Sequence, residues 1–136
     1  MFQLLPAVGR VIAYAAFFAL SMNAHADAGA ASWVLSYQNK STNEFIWDKR
    51  TESLVRRTLP PRFSRLVLGA LGGPPDPVIV TAGRFASMSA CRAHSCIEKG
   101  FFWVDSATGD ALGGYFLDGS LLLGSNAFTR SSIPAA

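Results

Sequence analysis

Apolar and polar residues alternate along this chain in three different rhythms. The first is an unbroken apolar run, Val11 to Leu20, with Arg10 before it and Ser21-Met-Asn-Ala24-His25-Ala26 after it. The second, from Ser41 to Leu59, spaces Phe45, Ile46, Trp47, Leu54 and Val55 as an imperfect helical stripe interrupted by Asp48, Lys49, Arg50 and Glu52. The third, from Pro77 onward, is a series of short β-branched and aromatic runs cut by turn residues.

The third rhythm predicts an antiparallel sheet. Pro77-Val-Ile-Val-Thr-Ala82 is β-branched, Gly83 supplies a turn, and Arg84 to Cys91 follows as a second extended segment. Gly100-Phe-Phe-Trp-Val-Asp105 forms a third, Ser106 to Asp110 a turn, and Ala111 to Leu117 the returning strand. Asp118-Gly119 is a hairpin signal ahead of Ser120-Leu-Leu-Leu123. A parallel pair needs a crossover of a dozen or more residues, and none of these connections is that long. The expectation is a meander of about five strands.

The second rhythm predicts a helical layer on one face of that sheet, an α+β fold with one or two N-terminal helices. Ser41-Thr-Asn-Glu44 has the form of a capping box, in which Ser41 accepts from the Glu44 amide and Glu44 reaches back. Leu59-Pro60-Pro61 ends the helix, and Gly69 to Pro77 reads as a loop into the first strand. Trp33, Trp47 and Trp103 are expected in the core. Arg56, Arg57, Arg62 and Arg65 read as a solvated face, since cations near a helix C-terminus are already favoured by the dipole.

The first rhythm changes where fold reasoning begins. A basic residue, an apolar stretch of about ten residues and an Ala-x-Ala ending are the parts of a secretory signal peptide. A transmembrane anchor would need roughly twice that apolar length. Residues 1–26 are therefore expected to be cleaved after Ala26, leaving one domain of 110 of the 136 residues, residues 27–136, in a periplasmic setting. That remainder has 11 Lys and Arg against 9 Asp and Glu, too small an excess to argue for nucleic acid.

Export gives the cysteines their meaning. Cys91-Arg92-Ala93-His94-Ser95-Cys96 holds both cysteines and the one histidine beyond the leader. In an oxidising compartment two cysteines point to a disulfide. Their Cα atoms would stand about 8.6 Å apart on a helix and about 16 Å apart when extended. A bridge needs 4.4–6.8 Å, so the segment must turn tightly. Cys91, His94 and Cys96 as zinc ligands lack a fourth partner. A thioredoxin-like pair would have two intervening residues at a helix start rather than four between strands. No metal or other cofactor is expected. Catalysis is poorly supplied too, with one histidine and no nucleophile elbow. A stiff loop tipped by a histidine suits insertion into another protein's cleft, because an imidazolium donates from both ring nitrogens.

Met88-Ser-Ala-Cys91-Arg-Ala-His94-Ser-Cys96 closely resembles the inhibitor of vertebrate lysozyme (Ivy) family, whose loop reads Met-Ser-Ala-Cys-Lys-Pro-His-Asp-Cys. Leu59-Pro60, Gly83-Arg-Phe85 and the Trp103 to Phe116 hairpin are similar to that family in order and spacing, so the resemblance covers roughly residues 59–118. It implies an exported, non-enzymatic protein whose disulfide-closed loop, Cys91, Arg92, Ala93, His94, Ser95 and Cys96, enters the cleft of c-type lysozyme. His94 would then sit between catalytic carboxyls that a retaining glycosidase holds about 5–5.5 Å apart. Three positions depart from the family. Arg92 replaces Lys and changes hydrogen-bond geometry, Ala93 replaces Pro and frees φ, and Ser95 replaces a charged acceptor. Those departures keep two further readings open: an inhibitor or immunity protein against bacterial peptidoglycan-cleaving enzymes such as lytic transglycosylases, and a secreted structural domain with a stapled hairpin. An exposed edge strand would also allow a homodimer.

Overall fold

The computed structural model describes residues 29, 31–125 and 127. The leader expected over residues 1–26 lies outside them. After a 3-10 turn at Ser32–Tyr37 come three helices, α1 (Thr42–Trp47), α2 (Lys49–Thr58) and α3 (Pro61–Ala70). Five strands follow: β1 (Ile79–Thr81), β2 (Phe85–Arg92), β3 (Ser95–Asp105), β4 (Ala111–Leu117) and β5 (Ser120–Gly124). They form one open antiparallel sheet in the order β1-β2-β3-β4-β5, the expected meander, with the helices on one face in an α+β arrangement.

Alternation along the strands explains why one face takes the helices. Ala86, Met88 and Ala90 on β2, Phe102 and Val104 on β3, and Ala111 on β4 are buried, and they point to the same side. Against them pack Val34, Phe45, Leu54, Val55, Leu59, Val67 and Leu71 from the helical layer. Aromatic rings run through this core as a column. Trp33 stacks on Phe45 at 5.7 Å between centroids, and Phe45 on Phe102 at 6.3 Å. The layer sits close because Gly100 and Gly113, on neighbouring strands, leave room for it: a Cβ at Gly100 would press on Ala70, and one at Gly113 on Leu59 and Val67.

Four expectations need correction. The helix expected from Ser41 to Leu59 is two helices. Asp48 leaves helical geometry at φ −67° and ψ 128° and becomes the N-cap of α2, accepting from the Arg50 amide at 2.8 Å. Its carboxylate also takes the Tyr37 hydroxyl at 2.7 Å and the Arg50 guanidinium at 2.6 Å, so the acidic break in the stripe is a joint. The capping box is likewise displaced, since the Ser41 hydroxyl accepts from the Asn43 amide at 3.1 Å rather than from Glu44.

The prolines at 60 and 61 do more than terminate. Pro61 occupies the first turn of α3, where a missing N–H costs nothing, and α3 lays Ser64, Val67 and Ala70 onto the sheet. Trp47 is the fourth correction. It is 76 % exposed, because the turn at Asp48 directs it away from the core. Trp33 packs half-buried against the core. Trp103, also half-buried, alternates with Phe102 and Val104 and stacks on Phe85 at 5.5 Å on the other face of the sheet, so it too departs from the expectation. Arg56, Arg57, Arg62 and Arg65 are exposed as expected, with Arg56 paired to Glu52 at 2.7 Å. Among the described residues no helix is long and apolar enough to cross a membrane.

Candidate functional site

Strands β2 and β3 meet in a hairpin whose tip is Ala93-His94. Arg92 pairs with Ser95 across the turn, and His94 takes φ 65°, the left-handed conformation that a residue at the corner of so tight a turn must adopt. Below the tip the register shifts: Cys91 pairs with Lys99, so Cys96, Ile97 and Glu98 have no partner on β2. This bulge brings Cys96 back toward Cys91. The two form a disulfide with Cα atoms 4.7 Å apart, inside the range a bridge requires. The tight turn expected from spacing is present, but β3 begins at Ser95 rather than at Gly100. The loop is therefore the twisted end of a two-stranded ribbon.

Each residue of the loop has a distinct exposure. Arg92, Ala93, His94 and Cys96 are exposed, Ser95 is half-buried, and Cys91 is buried. His94 is exposed at the turn, and Ile97, three residues further along, is 68 % exposed. The tip thus offers an exposed imidazole on a ribbon that also exposes Arg92 and Ile97.

Two braces hold the ribbon, and neither shows in the sequence. On the β4 side, the Arg92 guanidinium donates to the Glu98 carboxylate at 2.7 Å, and the Tyr115 hydroxyl donates to the same oxygen. These donors, Tyr115 first and Arg92 second, hold the Glu98 carboxyl below its ordinary value. Glu98 in turn raises the Tyr115 phenol, since ionising it would cost the hydrogen bond and set two anions together. On the other side the chain from Gly73 to Asp76 lies along β2, whose pairing with β1 ends at Ser87. The Cys91 amide donates to the Pro74 carbonyl and the Asp76 amide to the Ser89 carbonyl, both at 2.9 Å. The Asp76 carboxylate takes the Ser89 hydroxyl and, at 3.2 Å, the Lys99 ammonium, which lowers its pKa. Gly73 packs so closely that a Cβ there would collide with the backbone of Cys91, Arg92 and Ala93.

The sequence pattern singles out the loop and misses its supports. Arg92 and Glu98 are six residues apart, a spacing without meaning until the bulge is known. Tyr115 reaches Glu98 only through the β3–β4 register, in which Glu98 faces Leu117 and Gly100 faces Tyr115. Comparison with protein-family models, with curated proteins and with solved structures finds no match to this chain.

Proposed function

We propose that this protein is an exported, periplasmic inhibitor of peptidoglycan-cleaving glycosidases, with c-type lysozyme as its first target, and that it acts by inserting the 91–96 hairpin tip into the enzyme's cleft. The observation that carries this reading is the presentation of His94: an exposed imidazole at the corner of a disulfide-closed, doubly braced ribbon. The similarity of this segment to the lysozyme-inhibitor family supports the same target class. An acidic cleft offers two carboxyls to a group that donates from both nitrogens. A loop already held in its bound shape loses little entropy on docking. Arg92 lies at the rim with its side chain 57 % exposed, its guanidinium held by Glu98.

Titration of the purified protein against c-type lysozyme, with and without reductant, tests the reading. Wild type is expected to inhibit, His94→Ala to inhibit at least tenfold less, and reduction of the bridge to weaken inhibition while circular dichroism stays folded. Equal potency of His94→Ala and wild type would remove the imidazole from the mechanism. Inhibition of a lytic transglycosylase but not of lysozyme in the parallel assay would move the target to bacterial enzymes.

A further inference from the structure

The helical layer holds most of the positive charge. Residues 41–70 carry six Lys and Arg against three Asp and Glu, whereas the rest of the domain, residues 27–40 and 71–136, carries five against six. Two of the three carboxylates are already engaged inside the layer, Asp48 with Arg50 and Glu52 with Arg56. The surplus gathers where α2 passes into α3. Arg56, Arg57, Arg62 and Arg65 are exposed there, Arg57 donates to the neutral Ser53 hydroxyl, and among the described residues no carboxylate pairs with Arg62 or Arg65.

Helical spacing sets these side chains outward. Ser64, Val67 and Ala70 turn one side of α3 to the sheet, so Arg62, Arg65 and Leu66 fall on the opposite side, and all three are exposed. On α2, Thr51, Leu54 and Val55 face inward, while Arg56 and Arg57 in its last turn face out. The corner therefore joins concentrated positive charge to an apolar side chain, Leu66, one turn from Arg62 and next to Arg65.

Its place in the fold keeps it apart from the hairpin tip. Leu59 lies over Gly113 and Phe63 over Gly124. Gly113 pairs with Phe102, toward the end of β3 remote from Ser95 and the tip. Both surfaces are available at once.

From this charge and geometry we propose that the α2–α3 corner docks on an anionic phospholipid surface, with Arg57, Arg62 and Arg65 against the lipid phosphates and Leu66 entering the boundary between headgroups and acyl chains. All four cations at the corner are arginines, whose planar guanidinium meets a phosphate with two parallel hydrogen bonds. Their apolar stems let the charge stay at headgroup level while neighbouring carbon sinks lower. A nucleic acid offers the same phosphates but no apolar layer for Leu66; a lipid surface takes both. Each cation brought to such a surface strengthens binding roughly fivefold. The attachment is peripheral and reversible, and it leaves the 93–94 tip at the other end of the sheet free to dock.

Flotation of the purified protein with phosphatidylglycerol–phosphatidylcholine vesicles, beside pure phosphatidylcholine vesicles, tests the proposal. Binding to the anionic vesicles should exceed binding to the neutral ones at least tenfold and vanish in roughly 1 M salt, where the screening length is about 3 Å. Arg62→Gln combined with Arg65→Gln should weaken it at least tenfold with an unchanged circular dichroism spectrum, since both sites are exposed and glutamine suits a helix. Leu66→Gln should weaken it severalfold. Lys99→Gln removes a charge from the sheet's other face, where Lys99 alternates with the buried Gly100, and should leave binding unchanged. Equal binding to both kinds of vesicle overturns the proposal, as does full binding by the double arginine variant or a loss with Lys99→Gln as large as with that variant. Equally tight binding to single-stranded DNA, indifferent to Leu66→Gln, would assign the corner to nucleic-acid phosphates and overturns it too. None of these readouts involves inhibition, so the outcome is independent of the function assigned to the loop.

Discussion

His94 sits at a tip whose shape is set by residues further down the ribbon. The Glu98 carboxylate gathers Arg92 and Tyr115, tying both ends of the bulge to β4, and the disulfide closes the same ring from its other side. Glu98→Gln keeps the size of the side chain but removes the charge that makes these bonds strong. The expected result is faster hydrogen exchange at Ala93, His94 and Ser95, severalfold weaker inhibition if the proposed function holds, and a thermal midpoint lowered by a few degrees at most, since the Arg92 side chain is 57 % exposed although that of Glu98 is only 14 % exposed. Unchanged exchange in the loop would show that the disulfide alone sets its shape. Gly73 is the third support: at the point where its Cβ would strike the hairpin backbone, only hydrogen lets the two segments touch.

Among the elements, the joint between α1 and α2 is the most economical. One carboxylate caps α2, pairs with Arg50 and receives Tyr37 from the 3-10 turn, while Arg50 lies over the Trp33 ring at 4.2 Å. Asp48→Ala should therefore cost more than an ordinary cap, about 2 kcal/mol in chemical denaturation, the upper end for capping residues. A loss below about 0.5 kcal/mol would mean that the Tyr37 and Arg50 contacts contribute nothing. The same joint explains Trp47: α1 ends one residue before the chain turns, and the last side chain of a six-residue helix faces away from the sheet. At the β2–β3 element the disulfide closes a ring too small to stabilise the fold by more than roughly 2 kcal/mol. Its role is local shape.

At the scale of the whole molecule, four carboxyl groups tie distant segments together, and all four have pKa values below the ordinary one. Hydrogen bonds from Arg50 lower Asp48, from Ser89 lower Asp76, from Tyr115 and Arg92 lower Glu98, and from Arg84 lower Asp105. As pH falls the unfolded chain takes up protons first, so this stabilisation is complete above the unfolded carboxylate range and is lost as pH drops through the folded values. The urea midpoint should be level from about pH 7 to 5 and fall below about pH 4. Asp48, Glu98 and Asp105 should contribute more than Asp76, because their side chains are 11, 14 and 8 % exposed against 46 %. A midpoint that rises below pH 4 would contradict the assignment. The strands were legible because alternation and turn residues are local signals: Ala111–Leu117 agrees to the residue, and Asp118-Gly119 turns as its dipeptide requires. The position and closure of the 91–96 loop were legible for the same reason, since a five-residue separation restricts the chain regardless of what surrounds it. Helix α3, the exposure of Trp47, the bulge that begins β3 at Ser95 and the Glu98 and Gly73 braces were not. Each depends on which segment lies beside which, a matter settled by packing between residues far apart in the chain. By itself, the sequence determined the α+β meander and the place of its cysteine-bounded tip, because short-range sterics and side-chain periodicity suffice for both. Only the tertiary structure decided how that tip is held, because its braces follow from strand register and from the close contact of Gly73 with the hairpin backbone.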